Sequence, residues 1–111
     1  GRCVHISVHT FTPRLNGVVR PLDVAVLYDP RRKREAELGE RLATSLSAVG
    51  FRVRRNFPFR GVADGHTTGL RRKFSDRRYA GIEIELNQAL LGEWRVTAPI
   101  VGSQFRTVLA R

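Results

Sequence analysis

The chain alternates apolar and polar residues almost from its start. Val4, Ile6 and Val8 interleave with Cys3, His5 and Ser7 at the period of two that predicts a strand. The alternation breaks at His9 and Thr10, before a turn at Thr12-Pro13. Pro13, Asn16-Gly17 and Pro21 then mark Thr10 to Pro21 as a loop. Asp23 to Tyr28 is mostly apolar and predicts a second, buried strand, closed by Asp29-Pro30. Asp29 is placed to cap a helix whose first residue is Pro30. Leu38, Leu42 and Leu46 recur every four residues and Val49 follows, giving one apolar stripe on a helix from about Pro30 to Ala48, with Gly50 where a C-cap glycine belongs.

Phe51 and Val53 alternate with Arg52 and Arg54 in a short third strand. The loop Asn56 to Gly65 is rich in turn formers and aromatics, and a short helix from about His66 to Phe74 would place His66, Leu70 and Phe74 on one face. The fourth strand, Ala80 to Asn87, sets Ile82, Ile84 and Leu86 against Glu83 and Glu85. A last helix runs from Thr97 or Ala98 to Ala110, tolerating Pro99 only near its start. Strands alternating with helices predict an α/β fold on a mostly parallel sheet.

At 111 residues the chain is at most one domain. It opens at Gly1 directly onto a strand and contains no methionine, so it is expected to be part of a longer protein. The single cysteine, Cys3, excludes an intrachain disulfide and reads as small buried filler. No apolar run approaches a membrane span and no signal-peptide pattern is present, which makes a cytoplasmic location the expectation. The net charge of +10 would draw polyanions if it were gathered on one face. In sequence it is spread out, with Arg31-Arg32-Lys33-Arg34 and Arg71-Arg72-Lys73 as the tight clusters. One of these clusters opposes the dipole at the start of its helix, so either that turn frays or the charges serve a partner.

Candidate chemistry is sparse. His5 and His9 share a strand face but stand roughly 13 Å apart, too far to hold one metal. His5 reads as a hydrogen-bonded structural residue. His9, at the strand's carboxyl end, is the candidate ligand or acid–base group, because crevices of open α/β sheets lie there. Glu83 and Glu85 put two acids on one face of a strand that helices should cover on both sides, which suggests a face opening onto a cleft, with Glu85 nearer the rim. His66 reads as half-buried packing. No H-E-x-x-H, paired C-x-x-C or G-x-S-x-G is present.

Three stretches carry a resemblance. S-V-H-T-F-T-P-R-L-N-G-V-V-R-P from Ser7 to Pro21 resembles the H-S-F-T-P segment of the N-formylglutamate amidohydrolase family. N-F-P-F-R-G-V-A-D-G-H-T-T from Asn56 and Y-A-G-I-E-I-E-L-N-Q from Tyr79 resemble that family's next two motifs, in order. Thr10 and Phe59 depart from the family's usual serine and tyrosine. The resemblance implies a three-layer α/β/α sandwich like that of zinc carboxypeptidases, with residues 1–111 as the C-terminal portion of its single domain. It implies hydrolysis of an N-acyl bond, typically formyl, on an acidic amino acid, assisted by zinc or another divalent metal. Carried over by position, it makes His9 the last metal ligand in the chain and Glu85 the catalytic base, and it places the earlier ligands in an upstream motif outside these residues. Arg20 and Arg60, in the motif loops, are the cations nominated to hold the small anionic N-acyl amino acid substrate. The competing expectation is a basic, non-catalytic module for nucleic acid or another polyanion, in which Glu83 and Glu85 merely face solvent.

Overall fold

The structure, a computed structural model, describes residues 2–57 and 65–110. Its main sheet is built from β1 (Cys3–Phe11), β4 (Val24–Leu27), β5 (Val53–Arg55) and β6 (Tyr79–Asn87), in the order β1-β6-β4-β5. The pairs β1–β6 and β4–β5 are parallel, whereas β4 runs antiparallel to β6. A small hairpin of β2 (Arg14–Leu15) and β3 (Val18–Val19) interrupts the stretch expected to be only a loop. It turns on Asn16 and Gly17, both at positive φ (51° and 79°), as a two-residue hairpin turn requires.

Even-numbered residues of β6 and β4 point to one side, and there α1 (Lys33–Ala48) and α3 (Trp94–Leu109) close the core. Val24, Val26, Ile82, Ile84 and Leu86 meet Leu42, Ala43 and Leu46 of α1 and Val101 and Val108 of α3. Each large aliphatic side chain so buried stabilises the fold by about 1.5–3 kcal/mol. The opposite face holds a smaller apolar cluster of Phe11, Leu22, Ala25 and Leu27, and α2 (Gly65–Lys73) packs over β6 there. Helices thus lie on both faces of the sheet, the three-layer arrangement anticipated from sequence.

Four expectations need correction. Helix α1 starts at Lys33 rather than Pro30, because Asp29 is engaged elsewhere: its carboxylate accepts from the Arg31 backbone (3.0 Å) and guanidinium (3.0 and 3.1 Å). The first turn of α1 is capped across the fold instead, by Asp76, which accepts from the backbone N–H groups of Arg34 (2.7 Å) and Glu35 (3.1 Å). Helix α3 begins earlier than predicted, at Trp94, after a 3-10 helix over Gln88–Glu93, and carries Pro99 inside it. Cys3 is exposed rather than buried, and Val49 lies outside the packed stripe at 43% exposure.

The cations that open α1 do not oppose its dipole unrelieved. Arg32 turns its guanidinium onto the carbonyls of Arg71 (3.2 Å) and Phe74 (3.1 Å), at the carboxyl end of α2, where positive charge is favoured, and onto that of Tyr79 (2.9 Å) at the start of β6. Arg34 reaches the carbonyls of Asp76 (3.1 Å) and Arg77 (3.2 Å). As anticipated, Gly50 ends α1 in a conformation suited to glycine, at φ 105°.

Candidate active site

Odd-numbered residues of β1 and β6 share the face that α2 partly covers. The parallel register places Ser7 beside Glu83 and His9 beside Glu85, with Ala25 of β4 on the other side of Glu85. Adjacent strands stand about 4.8 Å apart, so the His9 and Glu85 side chains leave neighbouring backbone positions on the same side of the sheet. Both lie toward the carboxyl ends of their strands. His9 is exposed and Glu85 half-buried.

On β6 the same face is more enclosed toward the amino end. Glu83 is only 4% exposed and accepts a hydrogen bond from Thr67 Oγ1 of α2 at 3.1 Å. A solvent-facing pair of acids, the premise of the non-catalytic reading, is therefore not what the strand carries. Further toward the amino end, the half-buried His5 contacts the Tyr79 hydroxyl through Nδ1 (2.7 Å) and the Ser7 hydroxyl through Nε2 (3.1 Å), the satisfied structural histidine expected from its mid-strand position. His66 is exposed rather than half-buried as expected, and sets its ring edge-on to that of His5, with centroids 5.8 Å apart. With Leu70 and Phe74 it borders a largely apolar cavity of about 730 Å³ beside β1, away from His9.

What holds α2 so close is residue 81. A Cβ there would stand 2.4 Å from Thr67 Cγ2 and 2.7 Å from the Tyr79 hydroxyl, so glycine is needed for Thr67 to reach Glu83. The backbone of Gly81 is held in turn by a buried ion pair. Its N–H donates to Glu35 Oε2 (2.9 Å) and its carbonyl accepts from Arg71 Nη2 (3.0 Å), while Arg71 Nη2 and Glu35 Oε1 stand 2.6 Å apart. Neither Glu35, Arg71 nor Thr67 was singled out from sequence. The signal available for Glu35 was phase, since it falls in register with the Leu38, Leu42, Leu46 stripe.

Arg20 is half-buried, with its guanidinium 5.7 Å above the Phe11 ring and Nη1 donating to the Thr12 carbonyl at 3.5 Å. It therefore belongs to the rim where β1 ends. Arg60 lies outside the described residues. His9 suits a metal ligand as an exposed imidazole. Among the described residues, however, no group of three or more His, Cys, Asp or Glu side chains could hold an ion. A zinc site draws on three or four protein donors, so these residues alone do not make a complete one. No helix among the described residues is long and apolar enough to cross a membrane.

The fold is a mixed α/β sheet that sets a histidine and a carboxylate at paired register positions near the carboxyl ends of two parallel strands. A family model described as N-formylglutamate amidohydrolase matches residues 1–91, and the chain belongs to that family. Solved structures share its fold. A gene product of Agrobacterium tumefaciens is 25% identical with a TM-score of 0.75, the match covering 98% of this chain and 42% of that one. An N-formylglutamate amidohydrolase from Ralstonia eutropha is 16% identical with a TM-score of 0.67, over 98% of this chain and 43% of that one. The chain thus spans less than half the length of either structure. No curated protein matches it.

Proposed function

We propose that this chain carries the acid–base half of a hydrolytic site for N-acyl amino acids, of the N-formylglutamate kind, with Glu85 as general base and His9 as one ligand of a divalent metal. The observation that supports this reading is the register pairing of His9 with Glu85 on one sheet face at the open end of two parallel strands. A metal bound there would polarise the acyl carbonyl. Glu85 takes the proton of the attacking water and returns it to the leaving amine, a task suited to a carboxylate that is half-buried and still reachable from the rim. Glu83, enclosed beneath Thr67, stays out of reach of substrate. Arg20, and Arg60 in the motif loop, are proposed to hold the substrate's carboxylate, for which a guanidinium is better shaped than an ammonium.

The test is made in the full-length protein, with N-formylglutamate and neutral N-formyl amino acids as substrates. Glu85→Gln is expected to lower kcat by at least about 100-fold with metal content and fold retained. His9→Ala is expected to lose metal and activity together. Near-parental kcat in Glu85→Gln at saturating substrate, or turnover abolished by Glu83→Gln with metal intact, would assign the base elsewhere.

A further inference from the structure

The two basic clusters, far apart in sequence, meet in space. Arg32 of the first donates to the Arg71 carbonyl of the second at 3.2 Å. They converge beyond the carboxyl end of β4. Because β4 is antiparallel to β6, this is the end of the sheet opposite His9 and Glu85. A cavity of about 510 Å³ opens there, lined by Asp29, Arg31, Arg32, Thr68, Arg71 and Arg72.

The acids nearby are already committed. Asp29 is held by the Arg31 backbone and guanidinium, Glu35 by Arg71 and the N–H groups of Asp29 and Gly81, and Asp76 by the first turn of α1. The cations are not all committed. Arg31 gives Nε and Nη2 to Asp29 yet keeps its side chain 80% exposed, and Arg72 is exposed with no side-chain hydrogen bond or ion pair among the described residues. Arginines thus dominate the walls, with Asp29 as the single carboxylate among the lining residues.

We propose that this cavity binds a small phosphorylated molecule, its phosphate held by the Arg31 and Arg72 guanidiniums. Guanidiniums suit the several acceptor oxygens and near-double charge of a phosphate better than a point charge does. A concave site of this volume fits a small molecule rather than a polymer laid along a stripe of charge. The site is separate from the proposed active site, and its test does not depend on catalysis.

Inorganic phosphate and phenyl phosphate are titrated into the ¹⁵N-labelled full-length protein at about 150 mM salt, where diffuse attraction is screened, while the arginine side-chain N–H resonances are followed. Saturable shifts at Arg31 and Arg72 are expected. Arg72→Ala should weaken binding by about tenfold or more, whereas Arg95→Ala, on exposed α3 surface, should leave it unchanged. Linear, unsaturating shifts, or equal weakening by Arg95→Ala, would reduce the cavity to part of a general positive field and overturn the proposal. Saturable binding of an oligonucleotide or of anionic vesicles without saturable binding of either small phosphate would overturn it as well.

Discussion

The two ends of β6 treat their carboxylates in opposite ways. At the amino end Glu35 is fully buried, with both oxygens engaged by Arg71, Gly81 and Asp29. At the carboxyl end Glu85 is half-buried and stands beside an exposed histidine. One end uses charge to hold three elements together, and the other leaves charge near solvent where a substrate could meet it. Charged residues in a small sheet are thus divided by depth along a strand, a distinction that residue type alone does not reveal.

The most damaging way to break the contrast is at its buried end. Glu35→Ala leaves the buried Arg71 without its acid and Arg32 with only the more distant Asp76, and removing one partner of a buried pair typically costs about 3–5 kcal/mol. Urea denaturation should show a loss of that size, and a loss under about 1 kcal/mol would mean that the hub is decorative. Gly81→Ala comes next. Its new Cβ would press on Thr67 Cγ2 and the Tyr79 hydroxyl, and overpacking of this kind costs about 1–3 kcal/mol. Adding Thr67→Ser removes the closer methyl and should recover part of that loss. Glu85→Gln should shift stability by under about 1 kcal/mol, sharpening the contrast with Glu35.

The smallest effects are titrations. Burial, followed by donation to Glu40, pushes the Tyr28 hydroxyl up to about 12. A raised folded value means that its contribution is complete below the unfolded value near 10 and is lost as pH climbs toward about 12. Tyr28→Phe should flatten that alkaline slope in a series of thermal melts. On the acid side the Arg31 guanidinium holds the Asp29 carboxyl below its ordinary value. That contribution is present above the unfolded value, about 3.9, and fades as pH falls through the folded one. Asp29→Asn should therefore weaken the acid-side dependence.

Much of the fold was legible because its strands are periodic. Ile82, Ile84 and Leu86 announce a buried face whatever lies opposite, and so do Leu42 and Leu46 for α1. The misses have long-range causes. Asp29-Pro30 has the local form of a helix start, but its capping capacity is taken by Arg31, and the cap that serves α1 comes from Asp76, far along the chain. Pro99 looked like a helix opening because an interior proline loses a backbone hydrogen bond; α3 accepts that loss after beginning at Trp94. Cys3 was assigned to the interior from its type, whereas β1 occupies an edge of the sheet. For the site, periodicity separated His9 from His5 and Glu85 from Glu83. Their adjacency was not readable, because alternation along a strand carries no information on which strand lies beside it. Thr67 stayed hidden for the same reason.

The edge position of β1 has a practical side. Its nine residues, C-V-H-I-S-V-H-T-F, contain no lysine, arginine, acid or proline, and Val8 is 52% exposed. Among the described residues its only strand neighbour is β6, so one row of its amides and carbonyls has no place in the sheet's ladder. Edges are commonly guarded by the residue types this strand omits. For these 111 residues on their own, separation between molecules then falls to the net charge of +10, whose reach shrinks to roughly 8 Å at physiological ionic strength. Salting the buffer, a routine way to keep a basic protein off nucleic acid during purification, also lowers the barrier to edge-to-edge pairing of the isolated chain, which is therefore expected to be handled best when dilute and at low ionic strength.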